Sequence, residues 1–355
     1  MLKAPSLLGL CALLACAAPA RALIFYSTAD VEKNTTAPTG TLANSGWDLL
    51  GNWGPFTGTP IDAHRFIAAT HVGGVVGQTF TFRGANYTTV SRTVDAPSDL
   101  TIWEVAETFP AFATLFDGAS ENNSDAIIFG RGATRGAEVR VGGVLKGWKW
   151  GAWDMRLRWG QNRIVGSTTH EGQPSGDLPY LLKANFDSTG GDDEAHLAVG
   201  DSSGAIFILH GGAWKLAGIN YSVDGSYNTT NAGEGFNAAI FDDGGLYQGA
   251  ENNWQLTPDL PIAQPGALYA TRVKARLAWI QGVLASPLTI VPTLFACDSI
   301  DGTYAPAEGA TVNLAAKTIR IPATGSARFF RVRASAALTI SNTSLDGSTL
   351  VFEYR

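Results

Sequence analysis

The chain has 355 residues, 45% of them hydrophobic and 16% charged, with a formal charge of −6. A moderately acidic chain without basic clusters is a poor partner for nucleic acid or an anionic membrane, and this length predicts two or three domains. The 41 glycines, set among short runs of Thr, Val and aromatic residues, favour an all-β chain with many turns.

Residues 1–22 read as a signal peptide. Lys3 supplies the positive start, Leu7 to Ala18 form an apolar stretch too short to span a bilayer, and Ala20-Arg21-Ala22 is an A-x-A cleavage site. The mature chain then begins at Leu23. Within the same segment Leu13-Leu14-Ala15-Cys16 is a loose lipobox, so lipid anchoring at Cys16 is the alternative. Losing Lys3 and Arg21 takes the charge to −8, and Cys297 is left as the single cysteine, so no internal disulfide forms. No other stretch approaches the roughly 20 apolar residues of a transmembrane span. An exported protein is expected: periplasmic, cell-surface or secreted.

From Trp47 onward, short strand-like runs alternate with glycine turns. Arg65 to Ala69 leads into His71, Gln78 to Phe82 alternates with period two, and Leu100 to Val105 reads as another strand. Ala126 to Gly130, Ala137 to Val141 and Val144 to Trp150 continue the series. Met155 to Trp159, Tyr180 to Phe186, Ala205 to His210 and Trp214 to Asn220 form a second one. One helix is expected, over 267–284, where Tyr269, Val273, Leu277, Ile280 and Leu284 recur at spacings of three and four between Pro265-Gly266 and Ser286-Pro287. Residues 287–355 read as further strands, including Thr311 to Ile321 and Arg328 to Arg333, and suggest an accessory β-domain resembling a small sandwich.

Three short motifs carry chemistry. Ala68-Ala69-Thr70-His71 ends a strand, Ser98-Asp99-Leu100-Thr101-Ile102 begins one, and Gly200-Asp201-Ser202-Ser203-Gly204 is a glycine-flanked turn. A serine hydroxyl needs a base to take its proton, the base needs a carboxylate to set its tautomer, and the oxyanion needs backbone N–H donors. His71, Asp99 and Ser202 would fill the first three roles, and the Gly200 and Ser202 N–H groups the last. Ser202 also fits the G-x-S-x-G elbow of α/β-hydrolases. That fold needs a histidine well downstream, and the last one, His210, lies only one strand away.

Singly, each residue has an ordinary reading. The serine could be a turn residue, His71 a structural histidine and Asp99 a loop acid, with Asp95 as its rival four residues earlier. His64, His170 and His210 read as surface or structural, and their spacing predicts no metal site. Asp192-Asp193-Glu194 could bind calcium, but a solvated loop is the simpler reading. Trp148, Trp150, Trp153 and Trp159 could bind carbohydrate, but alternation at 148 and 150 favours a hairpin burying one face.

On these motifs the chain resembles the chymotrypsin-like (trypsin-family) serine proteases over roughly residues 40–285. Phe66 to Val72, Ser98 to Ile102, Gly200 to Gly204 and Gly212-Ala213-Trp214-Lys215-Leu216-Ala217-Gly218-Ile219 match that family's segments in their order. The resemblance implies two antiparallel six-stranded Greek-key β-barrels with a C-terminal helix over 23–286, no cofactor, and a protein or peptide substrate. His196, at the family's specificity position, would join Tyr221 and Val223 in the substrate pocket; being neither acidic nor small, it leaves the preference open. Ser203 stands where the family has glycine, which is tolerable if its backbone angles are ordinary. The aspartate matching Asp201 pairs with a freed N-terminus in activated members, and signal cleavage before Leu23 would supply one; otherwise an internal Arg or hydroxyl is its partner. Phe329-Phe330-Arg331-Val332-Arg333 resembles the small C-terminal β-domains of exported bacterial proteins, which implies an accessory module for attachment to the cell surface or another protein, for sorting, or for substrate engagement. The expected function is an exported serine endopeptidase; the alternative is an inactive protease-like binding or adhesion protein.

Overall fold

The computed structural model describes residues 23–168, 181–323, 329–334 and 337–355. The signal segment, Cys16, His170 and Tyr180 lie outside these residues.

Two closed antiparallel barrels of six strands form the body. The first uses Gly51–Trp53, Phe56–Pro60, Arg65–Ala69, Thr79–Phe82, Ala85–Asp95 and Leu100–Val105. The second uses Asp125–Gly130, Arg158–Thr168, Leu181–Asn185, Ala205–His210, Ala213–Val223 and Ala267–Arg272. With strands numbered along the chain, both close in the same cyclic order, 1-2-3-6-5-4. Strands three and six are therefore antiparallel neighbours in each barrel, and the end of one lies beside the start of the other.

Alternation sets the faces. Phe66, Phe80, Phe82 and Trp103 point into the first barrel, with Phe66 and Phe80 stacked at 4.0 Å. Ile67, Ala69, Leu100 and Ile102 point outward and share a core with Ile127, Phe129, Phe207 and Ile219 of the second barrel. A strand buried on both faces has no polar side, which is why Arg65 to Ala69 reads as an unbroken apolar run after its first residue. The interior of the second barrel is filled by Ile128, Ile164, Leu182, Ile206 and Leu268.

The expected helix is half strand. Ala267–Arg272 closes the second barrel between Leu181–Asn185 and Ala213–Val223, and the α-helix spans only Leu277–Ala285 after a short 3-10 turn. Its Ile280, with Val273 ahead of it, fills the cluster between the barrels. The apolar spacing from Tyr269 to Val273 suits a helix as well as a strand; two unsatisfied barrel edges decide for the strand. No helix among the described residues is long and apolar enough to cross a membrane.

A hairpin, Ala133–Val141 with Val144–Trp153, extends from the second barrel and buries Trp148, as the alternation there suggested. It pairs with Ala238–Ile240, part of a long insertion before the last barrel strand. Lys146 is buried where the two meet, 2.6 Å from Asp242 and 2.9 Å from Asp259. Beyond the helix lie a three-stranded and a four-stranded sheet with a shared core of Leu294, Ile319, Ile321, Phe352 and Tyr354. The expected run from Thr311 to Ile321 is two strands, Thr311–Asn313 and Thr318–Pro322, folded back on each other. Buried Arg65 donates to the carbonyls of Leu284 and Ser286, and Glu104 accepts from the Thr289 N–H, so the start of this segment is tied to the first barrel.

Candidate functional site

Strand three of the first barrel ends at Ala69, opposite Leu100 at the start of strand six. Asp99 therefore falls beside the turn that carries His71. The Thr70 N–H donates to the Asp99 carbonyl at 3.0 Å, and the His71 N–H to Asp99 Oδ1 at 2.9 Å. His71 Nδ1 lies 2.6 Å from Asp99 Oδ2. An ionised carboxylate only accepts, so this contact places the proton on Nδ1 and leaves Nε2 as the basic nitrogen. The rival Asp95 is engaged elsewhere: its carboxylate is buried, accepts from Ser98 Oγ, and forms a two-point ion pair with Arg276 at 2.5 and 2.6 Å.

Tyr221 completes this corner. A bulge between Asn220 and Ser222 inserts it as an extra residue in the strand. Its ring meets that of His71 edge-on, 6.0 Å between centroids. Burial pushes its phenol pKa up, and the charge of Asp99 adds to the shift.

The turn from Ala198 to Gly204 wraps around its own aspartate. Asp201 is fully buried; its two oxygens accept from the Gly132 and Ala198 N–H groups, both at 2.7 Å, and the nearby Leu23 N–H also favours its charged form. Burial pushes its carboxyl up to about 7, against the pull of these donors. Gly200 has φ of 91°, and a Cβ there would lie 2.3 Å from the Trp153 ring, so no other residue fits. Among the described residues, the N–H groups of Gly200 and Ser202 make no hydrogen bond. Two such donors in one tight turn are suited to receiving a negative oxygen.

Ser203 departs from expectation. Its φ is 65°, in the left-handed region where a side chain costs about 1–2 kcal/mol, so its angles are not ordinary. It is fully buried, and three hydrogen bonds hold it there. Its N–H donates to the Asn220 carbonyl (3.0 Å), its carbonyl accepts from Thr57 Oγ1 (2.8 Å), and its Oγ accepts from the Ala69 N–H (2.9 Å). Without that last partner the buried Ala69 N–H would cost about 1–3 kcal/mol. Because Ser203 is enclosed and engaged, Ser202 is the serine of this turn that reaches the cleft. Through Ser203 and Ala69 the Ser202 turn is joined to the strand leading into His71. No hydrogen bond joins His71 to Ser202 among the described residues, a contact that is often loose without substrate.

Ser202 and Gly200 open onto a pocket of about 350 Å3. Its other walls are the strand from Asn220 to Asp224, Leu197 to Val199, and Phe56, Trp150 and Asn237. Tyr221 and Val223 line it as expected positions; His196 does not. That histidine is buried behind Leu197, with Nδ1 2.8 Å from the Leu197 carbonyl, and burial depresses its pKa. Among the described residues Asp224 is the one charged residue on the wall, accepting from the Ala267 N–H and the Tyr269 hydroxyl, both at 2.8 Å. Sequence reasoning missed Asp224, although it continues the strand that carries Tyr221. Trp150 and Asn237 come from the hairpin and the insertion, whose approach to the turn has no local signal.

The acidic run near 193 is not a solvated loop. Asp193 pairs with Lys33 at 2.7 Å and accepts from Asn34 and Gln161, and burial pushes Glu194 up to about 8. Among the described residues no three His, Cys, Asp or Glu gather as a metal group. No family model matches the chain, and no curated protein does. Among solved structures it is similar to a serine-to-alanine mutant, inactive form, of Rv3671c from M. tuberculosis H37Rv, at 14% identity and a TM-score of 0.38, covering 71% of this chain and 98% of that one. It is also similar to a mutant of human heparin binding protein (CAP37), at 13% identity and a TM-score of 0.41, covering 69% and 95%. At these scores the fold rests on the order of strands in the two closed barrels, which is that of a chymotrypsin-like protein.

Proposed function

We propose that the protein is an exported serine endopeptidase. The observation that carries this reading is the 2.6 Å contact of His71 Nδ1 with Asp99, with His71 directly after the strand bonded to the turn that presents Ser202. Ser202 Oγ attacks the peptide carbonyl as His71 Nε2 takes its proton. The carbonyl oxygen, now negative, is received by the Gly200 and Ser202 N–H groups. Collapse breaks the C–N bond, and His71 returns the proton to the departing amine. Water then attacks the acyl ester, gives a proton to His71, and Ser202 leaves with it as the acid product is released.

Residues 1–22 would direct export and be removed. The Leu23 nitrogen, which lies near Asp201, would then become an ammonium and could pair with that carboxylate. Extra residues fixed before Leu23 should lower activity, and a fully active extended variant would sink this part of the reading. The carboxylate of Asp224 in the pocket wall suits a basic substrate side chain. Residues 287–355 would act as an accessory domain for attachment.

A fluorophosphonate probe tests the assignment. Labelling of the wild type, absent in Ser202→Ala and at least about a thousandfold slower in His71→Ala, is expected. The missing His71–Ser202 hydrogen bond favours one other reading, a binding protein on a protease-like scaffold. A folded wild type that takes no label would establish that alternative.

A further inference from the structure

Ser203 occupies a place that the first barrel leaves open. Strands two and three of that barrel pair through Thr59–Ile67 and Pro60–Phe66, and the Ile61 N–H continues to the Arg65 carbonyl at the far end. Continued in register, Gly58 would face Ala68 and Thr57 would face Ala69; at that second position Ser203 of the second barrel bonds to both residues. Its carbonyl takes the Thr57 hydroxyl and its Oγ takes the Ala69 N–H. The same residue donates its own N–H to Asn220, which in turn holds the carbonyls of Phe129 and Asp201 through its side-chain amide. One buried residue thus bonds both barrels, directly after Ser202 and by way of a strand that ends two residues before His71. The left-handed backbone makes the choice of serine informative. Glycine would sit there without strain, whereas serine bears the strain and supplies the Oγ that accepts from the Ala69 N–H.

We infer that Ser203 is a positioning residue: its hydroxyl and carbonyl fill the open rung between Thr57 and Ala69 and set the approach of His71 to Ser202. The inference rests on the peptidase reading for its catalytic consequence, but the clamp itself is measurable without activity. Ser203 touches no substrate.

The test compares the mature wild type with Ser203→Gly, Ser203→Ala and Thr57→Val by amide hydrogen exchange at Ala69 and by kcat, KM and the pH profile. Ser203→Gly removes the oxygen and the backbone strain together; Ser203→Ala keeps the strain and serves if the glycine variant fails to fold. Exchange at Ala69 should speed up in both serine variants. In the same variants kcat should fall about ten- to a hundredfold, as for an angstrom-scale misplacement. KM should stay unchanged. The pKa read from the pH profile should also stay in place, because the His71–Asp99 contact lies within one barrel. Thr57→Val should act in the same direction but less. Unchanged Ala69 exchange in Ser203→Gly would overturn the clamp, and a wild-type kcat in that variant would overturn its role in positioning. A wild type without turnover that still shows the exchange difference rejects the peptidase reading and the positioning role, and leaves a structural clamp.

Discussion

The two barrels contribute to the cleft in different ways. In the first, His71 and Asp99 meet because strands three and six are neighbours, and the hydrogen bonds described for the pair join only Thr70, His71 and Asp99. In the second, the Ser202 turn is held by Leu23, Thr57, Ala69, Gly132 and Asn220, drawn from across the chain. His71 and Asp99 form a local pair at an accessible edge, whereas the turn that carries Ser202 is a buried product of tertiary packing. Changes to the pair should therefore affect chemistry before stability, and changes to the turn should affect both.

Asp99→Asn gives the largest expected effect. It reverses the preferred tautomer of His71 and should lower kcat about ten-thousandfold with little change in Tm. Asp95→Asn, four residues away, should do the converse: it leaves Arg276 without its buried partner, costs about 3–5 kcal/mol, and spares the pH profile. If the two variants behaved alike, the distinction between the acids would fail. Gly200→Ala tests the second barrel. Its side chain meets Trp153 and requires a strained φ, so fluorophosphonate labelling and Tm should both fall, with a loss of at least about 1 kcal/mol of folding stability.

Asp224→Asn should change choice rather than rate. The preference for Lys or Arg over a neutral side chain, read as a ratio of kcat/KM values on a peptide panel, should drop about tenfold. A flat wild-type panel would remove Asp224 from specificity while leaving the chemistry intact. Glu194→Gln carries the smallest effect, away from the cleft. Its carboxyl is raised to about 8 in the folded chain from the ordinary 4.5. The folded state then holds the proton more tightly, so stability is full below pH 4.5 and declines as pH rises toward 8. The Tm of Glu194→Gln should be flatter than wild type over that window, and parallel curves would contradict the shift.

Much of the first barrel was legible. Its strands have clear turn signals, and the segment before His71 and the segment after Asp99 read as strands in their own right. The acid was ambiguous between Asp95 and Asp99, since both flank the same strand start; the ion pair with Arg276 that distinguishes them joins residues far apart in the chain. The second barrel was harder to read. Ala267–Arg272 carries apolar residues at a spacing that serves a helix equally well, and only the two strand edges beside it show what it becomes. His196 illustrates the same limit at the pocket, because a buried strand residue and a pocket residue have the same local pattern.

Local sequence determined the alternating strands, the turn glycines and the types of residue able to do acyl chemistry, because those depend on side-chain periodicity and backbone freedom over a few residues. Tertiary structure alone decided which acid meets His71, which serine of the pair is enclosed, and which side chains line the pocket. Those outcomes depend on barrel closure, which brings together groups more than a hundred residues apart and buries them under one shared requirement for hydrogen-bond partners.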